Sequence, residues 1–188
     1  KNLIYKGYTI QPYSPKAGTG LSSHELNQPG TYQDVTDTTV TAQFKTIKNS
    51  LPDFLKKYKS LFILAWTTTP WTLPSNTALT VGAKIKYSII STFNQYTFEF
   101  INVIVANDLI SKIFRGNYIQ VNSNSNLIFN FKKDKKIPYL IQESFFGKDL
   151  VNIKYEQLWD EAPLPYENPE NAFRVIEGDF VTTEDGTG

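Results

Sequence analysis

The chain has 188 residues, a formal net charge of +1, 40% apolar and 14% aromatic residues, and 20% charged residues. It is long enough to bury a core without disulfides or metals, and too apolar for a disordered chain. It has no cysteine and a single histidine, His24, which excludes a thiol nucleophile, a disulfide framework and any multi-histidine or cysteine-ligated metal site, so the metal assignment is none. A charge near zero argues against a strong sequence-independent grip on nucleic-acid phosphate, but leaves room for a single nucleotide or a strand end.

No apolar run reaches transmembrane length, and the start, Lys1-Asn2-Leu3-Ile4-Tyr5, has no signal-peptide h-region. The expectation is therefore a protein without membrane association. Zero methionine suggests a processed chain or an internal piece of a longer one.

In chain order, the first forty residues are rich in Gly, Pro, Ser and Tyr. They offer two extended pieces, 3–11 and 38–45, with one helical turn near Ser22–Asn27 opened by a serine cap. Pro52–Tyr58 reads as a short helix with Ser50 as its cap. Leu61–Trp66 is a continuous apolar run of strand length, as expected of a strand buried on both faces. Further strands are predicted at 77–81, 87–93, 96–106, 118–121, 127–131, 137–143, 149–155 and 173–182. Asn107–Phe114 carries apolar residues at helical spacing. The lysines of 132–136 read as a solvated hairpin tip.

The fold class is β-dominated α/β: a mixed β-barrel with a few short peripheral helices, preceded by an N-terminal extended arm. The boundaries follow as an arm over 1–45 and a barrel over 46–188.

One segment carries chemical information: Trp66-Thr67-Thr68-Thr69-Pro70-Trp71-Thr72-Leu73-Pro74-Ser75-Asn76. It leaves the most apolar strand through Pro70, which biases Thr69 away from helix, as Pro74 does Leu73. The expected product is a stiff turn presenting hydroxyls between two indoles. Nothing in it titrates near neutral pH, so it can hold a carbonyl, a ribose or a water but supplies no general base. Thr and Trp are also good strand formers and Thr-Pro punctuates loops, so the residues alone fit a structural turn as well. A base-stacking β-barrel and a structural module without a small-molecule site are the other readings.

This segment resembles the threonine-rich signature of the editing domain inserted into isoleucyl-tRNA synthetases, of the class I aminoacyl-tRNA synthetase family, and in related form into valyl- and leucyl-tRNA synthetases. Lys6-Gly7-Tyr8 with Tyr13-Ser14-Pro15, the strand of 37–45, and Gly178 to Gly188 resemble other stretches of that insertion in the same order. The full set points to the isoleucyl member.

The resemblance implies hydrolysis of valine mis-esterified to the 3′ end of the isoleucine tRNA, and of valyl-adenylate. Valine and isoleucine differ by one methylene, worth roughly 1–3 kcal/mol in a pocket, and isoleucyl enzymes are the standard illustration of that limit. By the resemblance Thr67, Thr68 and Thr69 are the catalytic set, with Thr68 first, bonding the ester, the ribose or the attacking water. Trp66, Trp71 and Thr72 line the substrate, and Asn76 positions a polar group of it or holds the loop.

No cofactor is implied for this region. The whole ligase implies ATP, Mg2+ and Zn2+, a cytoplasmic location and a monomer. The family's His-Thr-Ala-Pro-type segment and the acidic residue after it are missing beyond Gly188. The resemblance therefore implies an incomplete pocket and poor hydrolysis by these residues alone.

Overall fold

The computed structural model describes residues 3–184 and 186–188. In chain order its elements are β1 (Tyr13–Ser14), β2 (Thr19–Gly20), α1 (Ser23–Leu26), β3 (Val40–Lys45), β4 (Leu61–Thr67), β5 (Ala78–Val81), β6 (Lys86–Phe93), β7 (Phe100–Ala106), α2 (Ile110–Ile113), β8 (Tyr118–Gln120), β9 (Ile137–Phe146) and β10 (Arg174–Glu177). The chain divides into two compact units between Asp37 and Thr38.

The first unit has little to hold it together. β1 and β2 form a two-residue antiparallel ladder, Tyr13 opposite Gly20. The helical turn α1 forms where the serine cap places it. Ser22 Oγ accepts from the Glu25 amide at 3.3 Å, and the Glu25 carboxylate accepts from the Ser22 amide at 2.7 Å, a reciprocal capping box. The stretch 3–11, expected to be extended, joins no strand among the described residues, and Leu3, Ile4, Tyr5, Tyr8 and Ile10 are exposed.

In the second unit six strands form one mixed sheet in the order β3-β4-β7-β6-β9-β8. β3 pairs antiparallel with β4 along six residues, Val40 to Lys45 against Thr67 to Phe62. β4 pairs parallel with β7 only over Leu61–Ile63. β6 is antiparallel to both β7 and β9, with a register shift between Ser88 and Ile90, and β8 runs parallel to β9. β5 and β10 make a separate parallel pair, Ala78 opposite Arg174. The sheet has β3 and β8 at its ends, so the closed barrel expected from the sequence is not shown by this pairing.

The core lies over the central strands. Ile89, Ile90, Val103, Ile104 and Val105 are essentially solvent-free and meet Leu55, Leu109, Leu150, Ile153 and Val175 in one cluster. Each such aliphatic side chain contributes about 1.5–3 kcal/mol. β6 also buries hydroxyls, and each has a partner: Ser88 Oγ with Ser144 Oγ at 2.6 Å, Ser91 Oγ to Asn102 Oδ1 at 2.6 Å, Thr92 Oγ1 to the Pro138 carbonyl at 2.9 Å. Among the described residues no buried side-chain polar atom lacks a partner, as a stable interior requires.

Several expected elements come out shorter or not at all. The long strand over 96–106 starts only at Phe100. Asn94 Oδ1 accepts from the amides of Tyr96 and Thr97 at 2.8 and 3.1 Å, and Phe98 turns into positive φ, +60°. A side chain bonded to its own following backbone competes successfully with the ladder. The alternating stretch 127–131 is not a strand. Phe131 stacks on Phe98 with centroids 4.8 Å apart, and Phe129 leans on Phe93 at 5.4 Å, so the alternation serves ring packing instead of a ladder.

The strand expected over 149–155 is replaced by a 3-10 turn, Gly147–Leu150, and two isolated bridges, Thr46 with Tyr155 and Lys154 with Arg174. The helix expected over 52–58 is a single 3-10 turn, Asp53–Leu55, capped by Pro52, while Ser50 Oγ bonds the Ile47 carbonyl at 2.7 Å. No described helix is long and apolar enough to cross a membrane.

Candidate functional site

The site is built where β4 separates from β7. Beyond Ile63 the parallel ladder ends, and β4 runs on through Ala65, Trp66 and Thr67 with only β3 beside it, Thr41 opposite Trp66. On the other side the loop near Gly188 takes the vacated edge, the Ala106 amide donating to the Thr187 carbonyl at 3.1 Å. Gly186 lies against Trp66. Its φ is +77°, and a Cβ there would stand 3.3 Å from Trp66 Cε3. Close approach of backbone to an indole in a left-handed conformation is what glycine permits.

Past Thr67 the chain turns through a six-residue 3-10 segment, Pro70–Ser75, with Pro70 at its first turn. The hydroxyls there form a chain. Thr67 Oγ1 and Thr69 Oγ1 are 3.1 Å apart, Thr69 Oγ1 and Thr72 Oγ1 3.4 Å, and the Thr69 amide donates to Thr67 Oγ1 at 3.0 Å. Thr72 Oγ1 donates to the Thr69 carbonyl at 2.8 Å. Thr68 is exposed and its hydroxyl bonds no described side chain or backbone group, which leaves it available to solvent or a ligand. Asn76 has both amide atoms engaged inside the protein: Nδ2 donates to the Ala78 carbonyl at 2.9 Å and Oδ1 accepts from Tyr155 Oη at 2.7 Å. Of the two roles the sequence allowed it, this geometry serves holding the loop. Burial drives the Tyr155 hydroxyl far above its ordinary pKa, so it stays a donor at any physiological pH.

Three cavities border these residues. The half-exposed Trp66 lines two of them. The first, about 290 Å³, lies between β4, β5 and the loop at Thr187, with Ala65, Leu79, Tyr87 and Ile104 among its walls. The second, about 570 Å³, is lined by Thr39 just before β3, Thr41 of β3, Trp66, Lys112 and Ile113 of α2, Arg115 beyond it, and Gly186. Asn76 borders a third, about 220 Å³, against Pro163, Pro165 and Phe173. Thr67, Thr68, Thr69, Trp71 and Thr72 line none of the three; they stand at the surface beyond Trp66, Trp71 being 68% exposed.

The two cations of the second cavity escaped the sequence reading, which took 107–114 as a helix by its apolar residues alone. Lys112 lies in α2 and Arg115 past its end, so no helical spacing could have signalled the pair. The arrangement as a whole can hold a water and a polar acyl group by hydroxyls. Among the described residues that form it there is no histidine, aspartate or glutamate, so what it does chemically proceeds by positioning and hydrogen bonding.

No protein-family model matches the chain. Over the whole of this chain, the isoleucine–tRNA ligases of Cytophaga hutchinsonii and Bacteroides fragilis are 57% and 53% identical to it, and that of Clostridium tetani 38%. The chain spans 16% of the length of the first two and 14% of the third. Among solved structures, "The crystal structure of GlLeuRS-CP1" resembles it with a TM-score of 0.49 and 16% identity, over 80% of this chain and 52% of that one, a likeness too weak to bear on the site.

Proposed function

We propose that this chain, related along its whole length to a segment of isoleucine–tRNA ligases, is the proofreading part of such a ligase and hydrolyses valine esterified to the isoleucine tRNA. Water attacks the ester carbonyl, the bond from that carbon to the ribose oxygen breaks, and valine leaves with the tRNA hydroxyl restored. The same site cleaves valyl-adenylate, water releasing valine and AMP. Residues up to 45 form the entering ribbon, whose last strand β3 joins the sheet, and 46–188 carry the site. The ATP, Mg2+ and Zn2+ of a whole ligase are assigned to none of these residues. The reading carries with it a cytoplasmic, monomeric enzyme.

The observation that supports it is the hydroxyl chain of Thr67, Thr69 and Thr72 at the free end of β4, with Thr68 unengaged beside it and Trp66 dividing two cavities. Without a protein base, the water is held and polarised by these hydroxyls, by backbone groups and by the adenosine's own free hydroxyl. A preorganised hydrogen bond of this kind is worth about 10²–10³-fold in rate. The full-length ligase carrying Thr68→Ala is expected to lose valyl-tRNA deacylation by about that factor while charging isoleucine normally. Unchanged clearance of valine would remove Thr68 from the mechanism.

A further inference from the structure

We infer that Lys112 and Arg115 grip the phosphates of a single-stranded RNA end and deliver it to the hydroxyl turn beyond Trp66. The inference rests on the proofreading reading and names which residues hold that substrate's backbone.

Four observations carry it. Lys112, in α2, and Arg115, two residues past its end, both line the largest of the cavities around Trp66. Among the described residues neither makes an ion pair, the described pairs engaging Lys45, Lys56 and Lys57 instead, and no described carboxylate lines this cavity. Lys112 Nζ donates to the Glu184 carbonyl, a neutral group that uses one of its three donors and removes none of its charge. Trp66, an indole 40% exposed, and the hydroxyl residues Thr39 and Thr41 line the same cavity.

Two cations and an aromatic ring lining one cavity are the chemistry of single-strand binding, phosphate against charge and base against ring. The size agrees. About 570 Å³ exceeds the space an aliphatic amino acid needs and falls within the range of about 300–1,000 Å³ typical of ligand cavities. The amino acid therefore has room elsewhere along Trp66, while this cavity takes the nucleotide. The near-zero net charge of the chain fits a local grip of one or two phosphates in place of a broad basic surface.

The test uses the full-length ligase with Arg115→Gln, with Lys112→Gln and Arg115→Gln together, and with the charge-keeping Arg115→Lys. Valyl-tRNA deacylation is measured at several salt concentrations, and binding of an RNA oligonucleotide matching the tRNA 3′ end is measured directly. Expected for the double variant is a KM about tenfold higher at low salt with kcat kept. The logarithm of affinity should depend less steeply on the logarithm of salt, the slope dropping by about 0.7 for each phosphate that is no longer neutralised. Arg115→Lys keeps the slope, which a merely structural role for the guanidinium would not predict.

Unmoved KM and unmoved slope in the double variant, with isoleucine charging intact, overturn the grip and leave proofreading standing. If the unmodified ligase fails to deacylate valyl-tRNA, the functional reading falls. The salt slope of oligonucleotide binding then still decides the grip, an unchanged slope between the unmodified and double-variant proteins overturning it.

Discussion

The hydrogen bond from Tyr155 Oη to Asn76 Oδ1 at 2.7 Å ties the turn that carries the hydroxyls to the core, and its worth can be measured. Tyr155→Phe removes the donor and leaves the ring. The edge-to-face contacts with Phe44, centroids 5.2 Å apart, and with Phe173 at 6.1 Å survive, so no cavity opens. The part-buried carbonyl oxygen is left without its partner, at a cost of about 1–2 kcal/mol. For a chain of this length that is a fall in Tm of about 2–4 °C per kcal/mol. Asn76→Ala strands the buried Tyr155 hydroxyl and also removes the bond to the Ala78 carbonyl.

Because each single change orphans the other partner, the double variant should cost less than the sum of the two, by about 1 kcal/mol. Urea unfolding of the 188-residue chain and its three variants closes the cycle. In the full-length ligase the same Tyr155→Phe should slow valyl-tRNA deacylation while isoleucine charging stays unchanged, because the loosened turn misplaces Thr67 to Thr72. Additive energies, or a stability loss with deacylation untouched, would refute the view that this bond sets the site.

Two further outcomes follow from the same geometry. Gly186→Ala forces a Cβ into a φ of +77° and against Trp66, a strain of about 1–2 kcal/mol; with Trp71 and Trp159 replaced by Phe, the remaining Trp66 emission should shift red as the loop opens, and an unaltered spectrum would show that the contact is not held in solution. Burial pushes the Glu143 carboxyl up, but the hydrogen bonds from Lys57 at 2.9 Å and Tyr58 at 2.8 Å outweigh it and hold its pKa below 4.5. That stabilisation is complete above about pH 4.5 and is lost as pH falls through the lower folded-state value. With the carboxylate 36% exposed, screening keeps it under about 1 kcal/mol. Urea unfolding of Glu143→Gln should therefore differ from the unmodified chain at about pH 6, and the gap should narrow as pH falls through the lower folded-state value; a gap that stays constant as pH falls would contradict the pairing.

What the sequence made legible was the part governed by local rules. The serine cap of the first helical turn, the apolar run of β4, the strand that forms β6 and the proline exit after Thr69 are each dictated by residues close in the chain. The misread stretches are those where a side chain reaches beyond its neighbours. Asn94 captures the amides that would have extended β7, and Phe129 and Phe131 alternate like a strand while packing on rings from Phe93 and Phe98. Period alone does not tell ring packing from a ladder. Thr67 to Thr72 were found as a hydroxyl turn from the sequence because they are contiguous. The walls around Trp66 were not, because Thr41, Lys112, Arg115 and Gly186 come from separate stretches that only the sheet order and the loop at Thr187 bring together.

The most direct test is the rate at which the full-length ligase frees valine from valyl-tRNA and isoleucine from isoleucyl-tRNA, in parallel and with no free amino acid or ATP. A second site that admits the smaller acyl group and rejects one extra methylene should hydrolyse the valyl ester about 10–200-fold faster. Equal rates for both esters, or no hydrolysis of either above the rate in buffer, would contradict a proofreading role.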